Sequence, residues 1–288
     1  RQIVDELARD PDEKLTPTGA SRELSVMFVD MRGFSTLSEP MTPEAVVRML
    51  NIYLGAVADA LSGAGATIDK FMGDSVMAFW NAPLTDEDHA ERAVRAVLTV
   101  EQAIAAVGER LVAQGLPRVE ARIGVNTGPA YVGLMGSEER LNYSCVGDSV
   151  TLAARFEGLT RYYGTTNLIG ETTARWVPDG HVAIDIDRVV VKGRTAAATV
   201  STVLPAGDEA ESFKAVMTAL RGAYLKQDWD DARSHCAALS ALSVKTVETA
   251  RLAAVYHFRI EDLAGKRLPE DWDGNYEALT KEGDPPLI

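Results

Sequence analysis

Two aspartates each follow an apolar, strand-like segment and are the first residues that could do chemistry. Asp30 ends the run LSVMFVD at residues 24–30, and Asp74 lies in the turn between strand-like segments 66–70 and 75–80. In a β-α-β-β order the first strand lies beside the hairpin, so the two carboxylates can come together. Carboxylates that close repel each other unless divalent cations bridge them. Because Mg²⁺ takes few carboxylates and completes its shell with substrate phosphates, the pair predicts a metal site for phosphoryl transfer, with two ions about 4 Å apart.

The turn after Asp30 could bind the phosphates themselves. A short helix is expected to begin in Gly33-Phe34-Ser35, and its first backbone N–H groups suit phosphate oxygens. Taken singly, each aspartate has a simpler explanation, because Asp30 could cap that helix and Asp74 could form its turn. The two motifs together favour the metal site.

The elements that must position these residues alternate between strand and helix from residue 23 to about residue 204. Their order, β-α-β-β-α-β followed by a further α-β, predicts an α+β fold with a ferredoxin-like core. The strands are expected at residues 24–30, 66–70, 75–80, 119–127, 130–134, 142–146, 181–191 and 199–204. The helices are expected at residues 42–61, 86–114 and 149–163.

Three stretches of the chain differ in composition. Residues 1–22 are polar and predict an N-terminal linker or transducer segment, whereas residues 23–204 form the main domain. Residues 205–288 include Ala- and Leu-rich helical spacing, which predicts a small all-α extension. Its helices are expected at residues 210–226, 230–242 and 244–263.

The composition excludes several classes of protein. The 288 residues carry 29 Lys and Arg against 42 Asp and Glu, a net charge of −13, which predicts no nucleic-acid partner. Two cysteines, Cys145 and Cys236, are too few for a disulfide framework and predict reduced thiols in the cytoplasm. No run of 18 apolar residues occurs, so no membrane span is expected. Because the chain begins with Arg1, we expect a fragment whose parent protein carries an upstream sensor or a domain in the inner membrane.

Several other residues are expected to have structural roles. Trp80 is predicted to lie in the core, and Cys145 to be a buried strand residue. His89 follows three acidic residues at a predicted helix start and is expected to be solvated or to cap that helix. Trp229 and Trp272 are expected to anchor the extension to the main domain.

Six blocks of the main domain resemble the catalytic domain of class III nucleotidyl cyclases, the adenylate/guanylate cyclase family. In chain order the blocks are FVDMRGFSTLSE (28–39), KFMGDSVMAFWNAP (70–83), DHAERAVRAVL (88–98), RIGVNTGPAYVGLMGS (122–137), NYSCVGDSVTLAARFEGL (142–159) and VVVKGR (189–194). The resemblance implies conversion of ATP or GTP to the 3′,5′-cyclic nucleotide and pyrophosphate. It also implies two Mg²⁺ or Mn²⁺ ions per site and active sites shared across a head-to-tail homodimer.

The resemblance assigns roles to the acidic pair and its surroundings. Asp30 and Asp74 match the two metal-binding aspartates, and the carbonyl of Met31 is expected to be a further ligand. The residues expected to hold the triphosphate are Phe34 with its neighbours, Arg122 and Lys192. Since Lys70 and Asp74 belong to one hairpin, the family's arrangement implies that they serve different active sites of the dimer.

Lys70 decides the predicted base. It matches the base-recognition lysine of adenylyl cyclases, where guanylyl cyclases usually carry Glu. A lysine only donates and suits the N1 acceptor of adenine, whereas Glu would suit guanine. Ser144 matches its partner position, but a hydroxyl can accept from adenine N6 or donate to guanine O6. An adenylate cyclase is therefore predicted, with a guanylate cyclase or a degenerate, nucleotide-binding regulatory domain as alternatives.

The last helix of the main domain carries the remaining catalytic positions. Arg155 matches the arginine that stabilises charge at the α-phosphate. Thr151 stands where the family normally has the Asn that positions the ribose. Because Thr is shorter and offers one hydroxyl, we expect reduced turnover or an altered ribose contact.

Overall fold

The computed structural model describes residues 19–137, 140–190, 197–269 and 272–276. Strands and helices alternate through most of the main domain and give way to helices after residue 205. In chain order the elements are β1 (Gly19–Met31), α1 (Phe34–Ser38), α2 (Pro43–Gly63), β2 (Thr67–Met72), β3 (Ser75–Trp80), α3 (His89–Val112), β4 (Ala121–Ser137), β5 (Arg140–Val146), α4 (Asp148–Tyr163), β6 (Asn167–Gly170), α5 (Glu171–Ala174), β7 (His181–Val189), β8 (Ala198–Pro205), α6 (Asp208–Leu225), α7 (Trp229–Ser240) and α8 (Thr249–Leu263).

The strands of the described residues form one mixed sheet in the order β2-β3-β1-β4-β6-β8-β7, and β5 pairs with β4. The α+β prediction is confirmed. Segments 119–127 and 130–134 were expected to be separate strands, and this was wrong because β4 runs unbroken through Gly128-Pro129. Beyond Val125, β4 pairs only with β1 until β5 begins, and a strand with an open edge tolerates proline.

Helices α2 and α3 cover one face of the sheet. Thr42 caps α2 by accepting a hydrogen bond from the Ala45 amide at 3.3 Å, and Pro43 occupies the first turn of the helix, which was expected at residues 42–61. Helix α2 is long and apolar enough to cross a bilayer by those criteria alone. However, its Tyr53 and Leu61 are fully buried in the core beneath the sheet, where Trp80 also lies as predicted.

The opposite face of the sheet carries α4 and the folded-over β4–β5 hairpin. Phe79 of β3 packs against Tyr143 of β5, with ring centroids 6.2 Å apart, and Cys145 is buried in the same cluster as predicted. Successive strand residues point to opposite faces, so Asp30 shares the side of β1 that faces α4. Gly124 of β4 lets α4 approach closely, because a Cβ at this position would collide with the backbone of α4.

The expectation that His89 is solvated was wrong. The side chain is buried at the start of α3, and its Nδ1 lies 2.9 Å from Ser25 Oγ. The hydroxyls of Ser25 and Thr127 lie 2.8 Å apart and continue a buried polar chain. The first turn of α3 therefore packs against polar side chains of the sheet and is not exposed to solvent at His89.

Helices α6, α7 and α8 share one hydrophobic core with α4, β7 and β8. At the centre of this core Arg259 of α8 pairs with Asp187 of β7 at 2.5 Å, and both side chains are almost fully buried. Trp229 and Trp272 pack on Tyr224 of α6, with ring centroids 5.7 and 5.1 Å away, respectively. The two tryptophans thus pack within the extension, which itself lies against the sheet.

Candidate active site

Asp30 and Asp74 meet at one end of the sheet, as the order of the elements predicted. Asp30 lies near the end of β1, and Asp74 lies in the β2–β3 turn after Gly73, whose φ of 66° is left-handed. Burial and the negative charge of Asp30 raise the pKa of Asp74, and the two carboxyl groups are within hydrogen-bonding reach. The backbone N–H of Met31 donates to Asp74, and the hydroxyl of Ser75 donates to Asp30. Two acidic groups are therefore held together against their mutual repulsion.

Two residues that sequence reasoning missed surround this pair. Burial and the charge of Asp30 raise the pKa of Glu157, on α4, to about 7. Burial raises the pKa of Tyr53 well above its usual value, with the carboxylates of Asp30 and Asp74 as further causes. Among the described residues the buried Tyr53 hydroxyl has no hydrogen-bond partner. Glu157 lies in the segment FEGL, at the end of the block at residues 142–159. Its position four residues after Ala153, on the side of α4 that faces the sheet, was the sequence signal from which it could have been found.

The donor set suits a magnesium or manganese ion bound together with a phosphorylated substrate. The described residues contain no group of three or more His, Cys, Asp or Glu side chains that could hold an ion. Asp30 and Asp74 instead form a two-carboxylate set, in which burial and then the negative charge of Asp30 raise the pKa of Asp74. Mg²⁺ takes one or two carboxylates and draws its remaining ligands from water and phosphates. The residues present therefore fit that class of ion.

Positive charge gathers beside the acidic pair. Arg122 lies directly opposite Asp30 in the β1–β4 ladder. Burial lowers the pKa of Arg122, and the positive charges of Arg32 and Arg161 lower it further. A cavity of about 220 Å³ opens at Arg122, and its charged lining residues are one glutamate, Glu248, and four arginines: Arg32, Arg122, Arg161 and Arg251. Such a cavity favours a polyanion.

Arg32 connects this region to the helical extension. Its guanidinium pairs with Glu120 at 2.9 Å and also with Glu248, the residue that precedes α8. Phe34 begins α1 two residues later, after Gly33 in a left-handed conformation with φ of 69°, and is half-buried against the core under the sheet. Lys192, expected at the phosphates, lies outside the described residues.

Lys70 and Ser144 lie together, as their assignment to one base-recognition site requires. Lys70 Nζ is 3.2 Å from Ser144 Oγ. A third residue, Asp69, joins them, because Ser144 Oγ donates to Asp69 Oδ2 at 2.6 Å and Lys70 Nζ lies 3.3 Å from Asp69 Oδ1. The β4–β5 hairpin brings Ser144 here by folding across the sheet. Asp69 was missed by the sequence reasoning, and its position beside Lys70 was the only signal.

Arg155 and Thr151 lie one turn apart on α4, so they share one side of the helix. Arg155 is half-buried, whereas Thr151 is exposed and its hydroxyl donates to the Gly147 carbonyl at 3.3 Å. No hydrogen bond or ion pair of the described residues links either of them to Asp30 or Asp74. Within one chain, the predicted catalytic positions therefore fall into separate groups.

Apolar side chains are exposed near the base-recognition residues. Phe71 and Met72 of β2 are 51% and 43% exposed, and Tyr131 and Val146 are 45% and 52% exposed. Tyr131 lies directly opposite Val146 in the β4–β5 ladder. Apolar side chains that stay exposed in this way are candidates for a protein–protein contact surface.

A sequence profile described as the adenylate and guanylate cyclase catalytic domain matches residues 17–203. Adenylate cyclase 1 of Rhizobium meliloti is 38% identical over 183 residues, which cover 64% of this chain and 28% of that protein. The adenylate cyclase of Anabaena cylindrica is 34% identical over 191 residues, or 64% of this chain and 37% of that protein. The chain thus matches only about a third of the length of these curated relatives.

Solved structures of cyclases share the fold. The adenylyl cyclase CyaB from P. aeruginosa superposes with a TM-score of 0.62 at 31% identity, covering 66% of this chain and 98% of that one. The guanylyl cyclase Cya2 superposes with a TM-score of 0.60 at 35% identity, covering 66% and 95%, respectively. Since similar structures include enzymes of both names, the base must be argued from the residues that would contact it.

Proposed function

Because this chain belongs to the class III nucleotidyl cyclases, as the profile match over residues 17–203 shows, we propose that it is an adenylate cyclase that converts ATP to 3′,5′-cyclic AMP and pyrophosphate. The observation that carries the choice of ATP is the contact between Lys70 and Ser144 at 3.2 Å. A lysine presents only donors, which match N1 of adenine and oppose the protonated N1 of guanine. The two similar adenylate cyclases, from R. meliloti and A. cylindrica, support the same choice.

The reaction uses no side-chain nucleophile. The 3′-hydroxyl of ATP loses its proton to water and attacks the α-phosphorus, the bond from that oxygen to phosphorus forms, and the bond to pyrophosphate breaks. Asp30, Asp74 and the Met31 carbonyl would hold two Mg²⁺ or Mn²⁺ ions per active site, which supply Lewis-acid stabilisation of the attacking and leaving oxygens when bound. The chain's own contribution is to orient the nucleotide and to neutralise its charge.

Different arginines would neutralise the negative charge of different phosphates of the nucleotide. Arg122, which lies opposite Asp30 and lines the basic cavity, would neutralise the β- and γ-phosphates together with Lys192, as the family resemblance implies. Phe34 and the backbone of its turn would contact the same triphosphate. Arg155 would meet the charge that develops at the α-phosphate. Preorganised cations of this kind act most strongly where water is excluded.

We propose a head-to-tail homodimer with two equivalent sites. No hydrogen bond or ion pair of the described residues links the metal-binding pair to Arg155, and the family resemblance implies that a second chain completes each site. The exposed apolar side chains of Phe71, Tyr131 and Val146 offer a contact surface for that partner.

The shared site is tested by mixing two inactive variants. Asp74→Ala removes a metal ligand and Arg155→Ala removes the charge-stabilising group, so each homodimer should be inactive. In a mixed dimer one of the two sites retains both groups, so mixing should restore up to about a quarter of wild-type activity if subunits exchange randomly. The measurement is cyclic AMP formation with ATP and Mn²⁺ or Mg²⁺, with GTP as competitor. Absence of any recovery in verified mixed dimers would contradict the shared site, and cyclic GTP as the main product would contradict the choice of ATP.

The parent protein is the subject of a further proposal. Since the match covers 28% of the R. meliloti cyclase, we propose that residues 1–22 link this catalytic region to an upstream sensor or membrane domain. We also propose that the catalytic region works in the cytoplasm, where ATP is available and where the free thiols of Cys145 and Cys236 stay reduced.

A further inference from the structure

A bulge in β2 gives the base-recognition site its third member. The β2–β3 register shifts between Ile68 and Lys70, so Asp69 is the additional residue of a β-bulge. In a regular strand, Asp69 and Lys70 would point to opposite faces of the sheet. The bulge allows both side chains to turn toward Ser144 of the folded-over hairpin.

Two hydrogen bonds and one ion pair link the three side chains, and Asp69 Oδ1, which lies 3.3 Å from Lys70 Nζ, has no hydrogen-bond partner among the described residues. The Asp69 side chain is completely buried, whereas that of Lys70 is 44% exposed. Ser144 is 6% exposed and lies between them. Its Oγ donates to Asp69 Oδ2 at 2.6 Å, within the normal range of an O–H···O hydrogen bond.

This geometry determines what Ser144 can offer a ligand. A serine hydroxyl has one proton and two lone pairs. Its proton is directed to Asp69, and one lone pair accepts from Lys70 Nζ at 3.2 Å. Toward a nucleotide, Ser144 therefore presents only a lone pair, whereas Lys70 still has N–H groups to donate.

We propose that Asp69 is a specificity-determining positioning residue, which holds the Ser144 proton so that the site presents one acceptor and one donor to the purine. Adenine supplies the matching pair, since its N6 amine donates and its N1 accepts. Guanine opposes both, because O6 accepts and N1 carries a proton. The inference rests on the proposed adenylate cyclase function and adds the residue that removes the ambiguity of a serine hydroxyl.

The test compares ATP with GTP in variants of Asp69. Asp69→Ala frees the Ser144 proton to turn toward guanine O6, so the ratio of kcat/KM for ATP to that for GTP should fall about tenfold or more, as expected when a mismatched buried hydrogen bond becomes a matched one. Asp69→Asn keeps an acceptor oxygen at the same position and should retain most of the wild-type ratio. An unchanged ratio in Asp69→Ala would overturn the proposal.

A second background separates proton positioning from a general effect on Lys70. In Ser144→Ala there is no hydroxyl to orient, so adding Asp69→Ala should leave the nucleotide ratio unchanged. A fall of the same size in both backgrounds would mean that Asp69 acts through Lys70, which would refute the proposed role. Ser144→Ala alone removes one oxygen and covers the case in which Asp69→Ala fails to fold. It should weaken the use of ATP more than that of GTP, and equal losses would overturn the proposal.

Binding of non-reactive nucleotides distinguishes failure of this inference from failure of the proposed function. The nucleotides 3′-deoxy-ATP and 3′-deoxy-GTP lack the attacking hydroxyl, so their Kd values report base recognition without turnover. A wild-type protein that forms no cyclic AMP but prefers 3′-deoxy-ATP, and loses that preference in Asp69→Ala, would refute the function and support the inference. A wild-type protein that forms cyclic AMP, together with an unchanged ratio of the two Kd values in Asp69→Ala, would support the proposed function and refute the inference.

Discussion

The buried ion pair between the extension and the sheet gives a stability prediction that can be worked out from the structure. Arg259 Nη1 lies 2.5 Å from Asp187 Oδ2, with side-chain exposures of 2% and 3%. Tyr163 of α4 also donates to Asp187, and Arg259 Nη2 lies 3.3 Å from its hydroxyl. The guanidinium is further surrounded by aromatic rings, including that of Tyr256 at 5.7 Å. The pair therefore joins α8, β7 and α4 in one buried contact.

Replacing Arg259 by Met fills similar volume but leaves the Asp187 carboxylate buried without its cation. Loss of one partner of a buried pair costs about 3–5 kcal/mol in the free energy of unfolding. At about 2–4 °C per kcal/mol for a large domain, Tm should fall by roughly 6–20 °C. The double variant Asp187→Leu with Arg259→Met removes both charges, so it should recover most of that loss.

Thermal and urea unfolding of the four proteins (wild type, Arg259→Met, Asp187→Leu and the double variant) measure these changes. A positive coupling energy of 2 kcal/mol or more between the two positions is expected, because each single change leaves a buried charge. Loss of less than 1 kcal/mol in Arg259→Met, or a double variant no more stable than the single ones, would refute the reasoning.

Three further predictions concern single side chains. Thr151→Asn restores the family's usual ribose-positioning residue and should raise kcat, and no gain would contradict the assignment. Gly124→Ala places a methyl group against the backbone of α4 and should cost about 1–3 kcal/mol and lower activity, whereas Gly158→Ala on the open side of α4 should be neutral or slightly stabilising. Burial lowers the pKa of His89, so the unfolded state takes up a proton first and stability should fall as the pH drops below about 6.5. His89→Gln should reduce the dependence of the free energy of unfolding on pH, measured from pH 7.5 to 5. An unchanged dependence in this variant would contradict the prediction.

Local signals made much of the fold predictable. Thr42 and Pro43 mark the start of α2 by capping and by fixed backbone geometry, and both act within one helical turn. The meeting of Asp30 and Asp74 also followed from local facts, because neighbouring strands in a known order place their ends together. The continuity of β4 did not follow, since a Gly-Pro pair usually marks a turn and only the pairing with β1 keeps it extended.

The parts of the site that could not be predicted depend on long-range packing. Asp69 resembles any acidic strand residue until the bulge and the hairpin bring Ser144 to it, 75 positions along the chain. Glu157 acquires its raised pKa from burial beside β4, which the sequence of α4 alone does not reveal. Tyr53 belongs to the apolar face of α2, and its proximity to the carboxylates depends on where the sheet ends above it.

The contact of Arg32 with Glu248 has a thermodynamic consequence. It joins the residue that follows β1, the strand that carries Asp30, to the start of α8, so displacement of either side alters the free energy of the other. Both side chains are more than 40% exposed, and exposed pairs contribute about 0–1 kcal/mol. Because coupling between two sites is reciprocal, this ion pair can change the equilibrium constant of a conformational change on either side by no more than about fivefold. Nucleotide binding that draws Arg32 away would loosen α8 by no more than that factor, so this pair can adjust the cyclase but cannot act as an on–off switch.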